Sequence, residues 1–577
     1  MAVMNRDVAG VFNMIGDLLD IRGANPFRVR AYRRAARTVS GLSRPVAEMV
    51  ADEEDLSELP GIGDDLAGKI ETIVKEGTLP QLEELKEEVP PALSEMMQLP
   101  GLGPKRVKTL HSELGIASFE ELKKSAEEGR VRELDGFGEK TEKKILDSLE
   151  KREEGDGERG RILLYEAEQI AAPLLDYLEK QKKVGKVAAA GSFRRRKETV
   201  GDLDILVTCR RGCDIIEKFV NYEDVEEVVS KGESRSTVIL RTGFQVDLRV
   251  VPAVGYGAAL VYFTGSKPHN IRLRRIAAGR ELKINEYGVF REDERVAGKT
   301  EKQVYQEIDL ALIPPELRED RGEIDAAKEG SLPHLVTIDD IKGDLQSHTR
   351  ATDGKASLKE MADRARDLGY QYLANTEHTR RVHVAGGLDA EGMEKQIEKI
   401  DKLNSEYDDF RVIKGAEVDI LKDGSLDLPD GILERLDLVL CAVHYHTDLS
   451  AGKQTRRILK AMENPHFNIL AHPTGRLINK RDPYRVEMDE LLKGAVENNC
   501  FLEINAQPER LDLNEVHARK AGEMGILLSI GTDAHSVQEL GYMKYGIYQA
   551  RRAWLEPDGL LNTRSWKELK KLLKGES

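Results

Sequence analysis

The sequence predicts a multidomain fold with an all-α N-terminal region, an α+β middle region and a C-terminal barrel of alternating strands and helices. Short amphipathic helices fill about the first 150 residues, and β-rich runs with intervening helices extend from Val187 to about Pro315. After Val336, apolar runs of three to six residues alternate with helical stretches. The 577 residues are enough for about four domains, at roughly 150 residues each.

The composition excludes some classes of protein. No window reaches 18 consecutive apolar residues, so we expect no membrane span, no signal peptide and a cytoplasmic location. The four cysteines are too sparse for a disulfide framework, and the Cys209/Cys213 pair lacks the usual zinc spacing, which favours a reducing compartment. A net charge of −15 by itself argues against nucleic acid as a partner, although it averages over the domains.

A glycine-containing phrase recurs in the N-terminal region at residues 59–63, 99–103 and 134–138, spaced 35 to 40 residues apart. Its two glycines permit a tight turn whose backbone N–H groups, at a helix N-terminus, can hold a phosphate without positive side chains. One copy would more often be an ordinary turn, but three favour binding to the DNA backbone. The phrase resembles the helix-hairpin-helix motif, and its DNA-binding positions are then Gly61, Gly63, Gly101, Gly103, Gly136 and Gly138.

Three aspartates in the middle region form a candidate metal site. Asp202 and Asp204 stand two apart on a predicted strand and so share one face of it. Asp247 lies in a separate apolar strand, where a lone carboxylate would be costly to bury without a cation. Three carboxylates from two adjacent strands suit two Mg²⁺ ions, which would activate an attacking hydroxyl and neutralise a triphosphate.

A glycine-serine turn upstream completes a candidate nucleotide site. Gly191 and Ser192 offer N–H groups and a hydroxyl to phosphate oxygens, with Arg195 as charge partner. Together with the three aspartates, these residues resemble the nucleotidyltransferase core of family X DNA polymerases. The resemblance implies a palm and thumb that bind dNTPs and gapped or primed duplex DNA. It adds the nucleotide-binding residues Gly201, Tyr262, Phe263, Gly265 and Asn270, and the DNA-binding residue Arg274.

In the family's pocket, Tyr262 and Phe263 would line the sugar and Asn270 would contact the base edge. Taken alone, the two aromatic residues could equally be core packing. Residues 267–283 are locally basic, and residues 194–197 form a second basic run beside the proposed nucleotide site. We expect both runs to meet phosphates of the template or nucleotide.

The resemblance extends to the N-terminus, where residues 25–32 and the first hairpin are similar to the family's lyase domain. There, a lysine eight residues after the first hairpin glycine forms a Schiff base with a 5′-deoxyribose phosphate, and Lys69 has that position here. Asp65 stands where a phosphate-binding lysine would help. The alternative is that Lys69 is a solvated helix residue.

Nine of the twelve histidines lie in the last 240 residues, several of them directly after short apolar runs. Parallel β/α barrels place their active-site residues at such strand ends. Imidazole mixed with carboxylate favours zinc, manganese or iron over magnesium alone, and a bridging carboxylate such as Glu417 permits several metals close together. A single histidine would more often be structural, but the whole series predicts a metal centre.

The histidine series is similar to the polymerase-and-histidinol-phosphatase (PHP) domain, a distorted (β/α)7 barrel that holds up to three metals, here Mn²⁺ or Zn²⁺. The implied ligands are Gln346, His348, Glu417 and Asp533 for the first metal, Glu417, His444 and His472 for the second, and Asp353, His378 and His535 for the third. Gln346 replaces the usual histidine with a weaker ligand, and Glu377 replaces an aspartate that bears on the orientation of His378.

The resemblances divide the chain into a lyase-like helical domain with the first hairpin (1–85), a fingers-like helix-hairpin-helix region (86–155), the palm and thumb (156–315), a polar linker (316–335) and the PHP domain (336–577). A charged, glycine-rich stretch at 151–160 is a further linker or exposed turn.

They imply a monomeric DNA polymerase that fills short gaps in base excision repair. Its PHP domain would supply a manganese-dependent 3′-5′ exonuclease, with AP-endonuclease or 3′-end-processing activity. One alternative is a DNA-end-binding scaffold whose PHP domain is weakened by Gln346. A second is a small-molecule phosphatase fused to a nucleotidyltransferase, in which the hairpins would be ordinary turns.

Overall fold

The computed structural model describes residues 5–40, 46–52, 54–97, 99, 102–139, 141–143, 145–146, 149 and 161–574. The chain divides into two compact units, Met1–Arg159 and Gly160–Ser577. The predicted linker at 151–160 and the predicted DNA-binding residue Gly101 lie outside the described residues. Among the helices that are described, none has the length and apolar character needed to cross a membrane.

The first unit is helical, as predicted. Apolar residues at helical spacing, such as Val8, Phe12, Ile15 and Leu19, are buried in one core. The α-helices are Asn5–Arg22, Pro26–Ser40, Val46–Ala51, Asp64–Glu76, Pro80–Glu88, Pro91–Met96, Pro104–Leu114 and Phe119–Glu127, with 3-10 turns at Leu56–Glu58 and Val131–Glu133.

The recurring glycine phrase adopts the same turn in each copy. Its fourth residue donates a backbone hydrogen bond to the first at 3.0 Å: Ile62 to Leu59, Leu102 to Leu99, and Phe137 to Leu134. Gly61 and Gly136 have φ values of +79° and +78°, a conformation that favours glycine. Gly63 and Gly103 then cap the N-termini of the following helices. The turn is therefore built from backbone geometry, as the repeat in the sequence predicts.

The middle region is built on a five-stranded sheet. Its N-terminal elements are β1 (Ile162–Leu163), helix Leu164–Glu179, β2 (Val184–Ala189), helix Gly191–Arg194, β3 (Thr199–Val200), β4 (Asp202–Cys209), helix Ile215–Val220, β5 (Val225–Lys231), β6 (Arg235–Leu240) and β7 (Gln245–Val250). The sheet order is β2-β4-β7-β6-β5, and only β4 and β7 are parallel neighbours. Leu203, Ile205 and Val207 of β4 are buried in the core, so the alternating residues Asp202 and Asp204 face the other side of the sheet.

A smaller subdomain follows, with helices Tyr256–Thr264, Lys267–Ala278 and Glu301–Gln306 and the antiparallel strands β8 (Leu282–Asn285), β9 (Gly288–Arg291) and β10 (Glu294–Ala297). The segment 316–335, expected as a polar linker, contains helix Glu323–Glu329. Its residues Leu317, Ile324, Ala327 and Leu335 are buried in the core of this subdomain. It is a folded connection, because its apolar positions recur at helical spacing between the polar ones.

The C-terminal region is a seven-stranded parallel sheet in chain order, curled into a nearly closed barrel. Its strands are β11 (Gly343–Asp344), β12 (Tyr372–His378), β13 (Arg411–Asp419), β14 (Leu438–Ala442), β15 (Ile469–Leu470), β16 (Phe501–Asn505) and β17 (Leu528–Gly531). The helices are Leu358–Asp367, Ala390–Asn404, Asp430–Leu433, Ala451–Met462, Met488–Glu497, Glu515–Glu523, Met543–Arg552 and Trp566–Leu573. The predicted (β/α)7 architecture is confirmed.

A buried asparagine helps to join the first and last strands of the barrel. Ser347 and Ala534 form a parallel bridge just beyond β11 and β17. Closer to the strand starts, the buried Asn562 donates through Nδ2 to the carbonyls of Gly343 (2.9 Å) and Ile530 (2.8 Å), and its Oδ1 accepts from Ile530 N at 2.6 Å. The side-chain amide thus supplies hydrogen bonds that a direct β11–β17 ladder would make.

Cys209 and Cys213 are joined by a disulfide, with their Cα atoms 5.9 Å apart. A single bridge between residues four apart is no disulfide framework, so the expectation of a reducing compartment stays a prediction. The turn that follows β4 brings this pair within bonding reach, a local geometry that cysteine counts do not register.

We expect Asn562→Leu to destabilise the barrel by about 3 kcal/mol, because each buried backbone group left without a partner costs about 1–3 kcal/mol. Urea unfolding followed by tryptophan fluorescence measures this, since both tryptophans, Trp554 and Trp566, lie in the barrel region. Gln371→Leu, at an exposed amide, serves as control and should change the unfolding free energy by less than about 0.5 kcal/mol. Equal effects of the two substitutions would contradict the bridging role.

Candidate active sites

The three predicted aspartates come together where β4 and β7 run parallel. Asp204 and Asp247 are direct register partners, and Asp202 precedes Asp204 by two residues on the same strand face. Burial, Asp202 and Asp247 together raise the pKa of Asp204 to about 7. Burial and Asp247 likewise raise the pKa of Asp202 above its ordinary value. The carboxylates therefore repel one another, and a dication would relieve the repulsion.

Two side chains, one on the neighbouring strand β6 and one on β7 itself, fix the orientation of Asp247. Its Oδ1 accepts a hydrogen bond from the Thr237 hydroxyl at 2.6 Å, and its Oδ2 accepts from Gln245 Nε2 at 2.8 Å. Sequence reasoning missed both partners. Gln245 stands two residues before Asp247 on one strand face, a signal that could have been found. Thr237 comes from β6, and only the sheet register identifies it.

The glycine-serine turn lies directly against the aspartates. Gly191 has a φ of +61°, and a Cβ there would lie 2.8 Å from Asp204 Oδ2. Glycine is therefore needed for both the backbone conformation and the close approach. Ser192 sits in the one-turn helix Gly191–Arg194. Arg195, predicted as a phosphate partner, donates to Glu319 Oε1 at 3.0 Å and to the Thr264 carbonyl at 2.5 Å.

The predicted nucleotide pocket is partly assembled. Tyr262 and Phe263 make an edge-to-face pair with centroids 5.1 Å apart, and Arg249 lies 4.4 Å over the Phe263 ring. Arg249 follows Asp247 by two residues on β7, so it links the aromatic pair to the aspartate face. Asn270 Nδ2 donates to the Tyr262 carbonyl at 2.6 Å.

The remaining predicted nucleotide residues are glycines. Gly265 has a φ of +66°, and a Cβ at this position would lie 3.3 Å from Arg195 Nη1. Gly201 precedes β4, and a Cβ there would lie 3.1 Å from Arg161 Nη1. Both glycines thus stand beside arginine side chains of the site.

The arginines of the first basic run, residues 194–196, are paired with acids, whereas in the second run the pairs involve Arg272 and Arg280. The predicted availability to phosphates is reduced for these paired residues. Arg272 bonds to Asp320 at 3.0 Å and to Asp325 at 2.7 Å. Arg194 forms two hydrogen bonds to Glu301, at 2.8 and 2.6 Å. Arg274 is exposed, and its Nε donates to the Asn270 carbonyl at 3.3 Å.

Lys69 donates to Asp65 Oδ2 at 2.7 Å and to the Tyr32 hydroxyl at 2.8 Å. Burial lowers the pKa of Lys69, but these two acceptors outweigh it and raise that pKa above its ordinary value. The amine is held in its charged form, which is not nucleophilic. The placement beside the first hairpin fits the predicted lyase lysine, whereas the protonation state opposes Schiff-base chemistry.

The predicted metal ligands of the barrel gather at the carboxyl edge of its strands. Gln346, His348 and Asp353 follow β11, His378 ends β12, Glu417 lies in β13, His444 follows β14, His472 follows β15, and Asp533 and His535 follow β17. Because all seven strands are parallel, these positions meet at one end of the barrel.

Glu417 is the centre of this cluster, and its side chain is only 1% exposed. Its Oε1 lies 3.2 Å from His444 Nε2 and 2.8 Å from His472 Nε2. Its Oε2 lies 3.2 Å from His378 Nδ1 and 3.4 Å from His348 Nε2. Burial raises the pKa of Glu417, but His378 and His444 outweigh it and hold that pKa well below its ordinary value. Each carboxylate oxygen thus faces two imidazoles, as a bridging ligand would.

Within the part of the chain that the structure describes, three groups have ligand atoms within 4.8 Å of one another: His348, Asp353, His378 and His535; His378, Glu417 and His444; and His348, Glu417 and Asp533. The first group contains the implied third-metal set, and the last is the implied first-metal set without Gln346. The remaining group differs from the implied second-metal set, because it contains His378 in the place where His472 was expected. His472 still contacts Glu417.

Several buried polar atoms here make no hydrogen bond to any residue within the described ranges: His348 Nδ1 and Nε2, His378 Nδ1, Glu417 Oε2 and His472 Nδ1. Such atoms are costly unless they acquire a partner. Imidazole and carboxylate together are the donor set of zinc and manganese sites. The residues present therefore fit bound metals.

Gln346 belongs to a buried amide network. Its Oε1 accepts from Asn505 Nδ2 at 3.3 Å, and the same amide lies 3.1 Å from Asp533 Oδ2 and 3.3 Å from Glu503 Oε2. Glu377 instead accepts from Thr349 N (3.1 Å) and Asn375 Nδ2 (2.8 Å). It stabilises the loop after β11. His444 is oriented by Asp419, whose Oδ1 lies 3.2 Å from His444 Nδ1.

Comparison with known families agrees with this geometry. Residues 3–79 match a helix-hairpin-helix domain, 93–151 a SAM-like helix-hairpin-helix tandem, 161–240 the DNA polymerase beta palm, 259–319 the DNA polymerase beta thumb, and 344–507 the PHP domain.

Two curated relatives cover different parts of the chain. The DNA polymerase/3′-5′ exonuclease PolX of Bacillus subtilis (strain 168) is 38% identical over 577 residues, 99% of this chain and 99% of that protein. A probable phosphatase of Thermoanaerobacter sp. (strain X514) is 29% identical over 233 residues, 38% of this chain and 90% of that protein. The similarity to phosphatases thus concerns one portion of the chain only.

We expect Asp65→Asn to increase trapping of a 5′-deoxyribose phosphate on Lys69 several-fold, because losing the carboxylate lowers the pKa of the amine and exposes its neutral form. Borohydride reduction followed by gel electrophoresis measures the trapped adduct, and Lys69→Ala should abolish it. Asp64→Asn, one residue earlier on the same exposed helix start, should trap no more than the native chain. Trapping that is insensitive to both Asp65 and Lys69 would exclude this lysine.

Glu417→Gln is expected to remove about two equivalents of Mn²⁺, because Glu417 belongs to two of the three ligand groups. Elemental analysis after equilibrium dialysis measures the stoichiometry. Asp202→Asn/Asp204→Asn removes carboxylates of the other site only, so its metal loss should add to that of Glu417→Gln. A Glu417→Gln chain that keeps its full metal content would show that Glu417 is no ligand.

Proposed function

The chain belongs to the PolX family of DNA polymerase/3′-5′ exonucleases, and on that premise we propose that its aspartate site extends the 3′ end that its histidine site removes. The observation that supports this most is the presence of two separate constellations. Asp204 and Asp247 are register partners in the palm sheet, and Glu417 is surrounded by histidines in the barrel. The enzyme uses divalent metals, and its substrates are DNA and dNTPs.

In the palm, Asp202, Asp204 and Asp247 would hold two Mg²⁺ ions, which when bound would activate the primer 3′ hydroxyl and neutralise the triphosphate. The chain itself supplies positioning. Thr237 and Gln245 fix the Asp247 carboxylate. The turn at Gly191 and Ser192 offers its N–H groups and hydroxyl to the triphosphate.

The side of the nucleotide opposite the triphosphate faces the aromatic pair. Tyr262 and Phe263 would line the sugar, with Arg249 holding the Phe263 ring in place. Asn270 would turn its amide from the Tyr262 carbonyl to the base edge. These roles follow the family pattern, and the contacts on β7 support them.

In the barrel, we assign Mn²⁺ or Zn²⁺ to the three ligand groups, where the bound metals would polarise the phosphodiester and lower the pKa of an attacking water. Asp419 orients His444, and the amide of Asn505 holds Asp533. The same site would support cleavage at abasic positions and cleaning of blocked 3′ ends, because each of these reactions breaks a phosphate ester next to a 3′ oxygen.

Gapped or primed duplex DNA is the proposed substrate, and short-gap filling in base excision repair is the proposed role. The three glycine turns support it, because they present backbone N–H groups at helix starts and so bind DNA without reading its sequence. We propose that the enzyme acts as a monomer in the cytoplasm.

A second candidate is a repair scaffold with polymerase activity and a weakened barrel site. Gln346 supports this candidate, because its Oε1 already accepts a hydrogen bond from Asn505 and an amide is a weaker ligand than imidazole. The other ligands remain assembled around Glu417, and for that reason we favour an active exonuclease.

The two-site assignment predicts separable losses on a DNA duplex with a one-nucleotide gap. Asp202→Ala/Asp204→Ala should lower primer extension at least about 100-fold, because several kcal/mol of charge stabilisation is lost, while manganese-dependent 3′ degradation persists. His535→Ala should do the reverse. Electrophoresis of labelled primers follows both activities. If one variant abolished both, a single shared site would replace this proposal, and a native chain that extends but never degrades would support the scaffold.

A further inference from the structure

The segment 191–198, which carries the glycine-serine turn, lies against the barrel domain within one compact unit. Its charged side chains bond to residues of the middle region and to residues of the barrel. Arg196 Nη1 bonds to Glu168 at 3.1 Å, and Lys544 and Tyr545 of the barrel donate to the same glutamate. Glu198 receives two hydrogen bonds from Arg476 of the barrel, at 3.1 and 2.7 Å. The segment is thus held by a domain that makes no part of the palm sheet.

Arg552 of the barrel makes the contact closest to the turn. It is the last residue of helix Met543–Arg552, and its side chain is 1% exposed. Its Nη1 donates to the Arg195 carbonyl at 2.8 Å, and also lies 3.2 Å from Glu319 Oε1 and 3.4 Å from the Glu316 carbonyl. Its Nη2 donates to Glu515 Oε1 at 3.1 Å.

The Arg195 carbonyl lies at the end of the short helix that carries Ser192 of the proposed nucleotide site. Arg195 caps the one-turn helix that contains Ser192, through a hydrogen bond from its N–H to the Gly191 carbonyl at 3.3 Å. Its guanidinium shares Glu319 with Arg552 and reaches the Thr264 carbonyl. Gly191 in turn lies so close to Asp204 that a Cβ on it would be 2.8 Å from Asp204 Oδ2. A buried guanidinium on the barrel therefore fixes both the backbone and the side chain of Arg195.

We propose that Arg552 is a positioning residue for nucleotide binding in the palm. It fixes Arg195 and the shared Glu319, so that the turn at Gly191 and Ser192 is preorganised for the triphosphate. The inference rests on the proposed polymerase function and adds to it that the barrel is structurally part of the dNTP site. Without Arg552, the Arg195 carbonyl and Glu319 lose a charge-assisted donor in a buried place, and the turn must order itself on each binding event.

The test measures dNTP KM and kcat for one-nucleotide gap filling by Arg552→Ala, Arg552→Lys and Arg551→Ala. Arg551 is the matched control, because it makes comparable contacts in the same interface, to Glu316 and the Val336 carbonyl, but none to segment 191–198. We expect Arg552→Ala to raise KM about 10- to 100-fold, as loss of hydrogen bonds to a charged group implies, with a smaller change in kcat. Arg552→Lys keeps the positive charge but lacks the forked guanidinium, so its dNTP KM should lie between those of Arg552→Ala and the native chain.

Exonuclease rate on single-stranded DNA and barrel tryptophan fluorescence, measured on the same proteins, report whether each variant is folded. A native KM in folded Arg552→Ala, or equal KM increases in Arg552→Ala and Arg551→Ala, would overturn the proposal. If Arg552→Ala is unfolded, Arg552→Lys takes its place in the comparison. A dNTP KM above that of Arg551→Ala then supports the proposal, and an equal KM overturns it. Failure of the proposed function is distinguishable, since the native chain would then extend no primer. In that case, equilibrium binding of a non-hydrolysable dNTP to the same proteins tests Arg552 by the same comparison.

Discussion

The concentration of carboxylates in buried places is the constraint on which both active sites depend. In the palm, three aspartates on two parallel strands leave Asp204 with a pKa of about 7, because burial and its neighbours oppose its charge. In the barrel, Glu417 is more deeply buried but keeps its charge, because four imidazoles face its oxygens. The palm site therefore depends on hard dications for its charge balance, whereas the barrel site carries part of that balance in its own histidines.

The sequence predicts those features that depend on short-range geometry. Spacing of two places Asp202 and Asp204 on one strand face, and parallel strands bring the residues after them to one edge, so the amino-acid pattern alone locates both constellations. It does not reveal the distant contacts. Asn562 joins strands that begin and end the barrel, 219 positions from Gly343, and nothing distinguishes this asparagine in the sequence. The sequence of segment 316–335 predicts a linker because polar residues predominate, and the few apolar residues at helical spacing between them are easily overlooked.

Pairing within the fold changes what several arginines of the basic runs can do. Arg194 and Arg272 are bound to acids of the same chain, so they neutralise internal charge instead of contributing freely to a DNA-binding surface. These two arginines therefore do little to offset the net charge of −15 where DNA binds. The glycine turns attract phosphate through oriented N–H dipoles, an interaction that needs no net positive charge and is concentrated at the helix starts.

The contacts between palm and barrel also constrain how one 3′ end can reach two sites. Parting the two domains would expose Arg552 and leave Glu319 without it, and would break the paired hydrogen bonds between Glu198 and Arg476. Breaking one partner from a buried ion pair costs several kcal/mol, because a charge is left uncompensated. Movement of the DNA along a fixed protein surface needs no such loss. The same interface that orders the dNTP turn therefore favours transfer of the strand over separation of the domains.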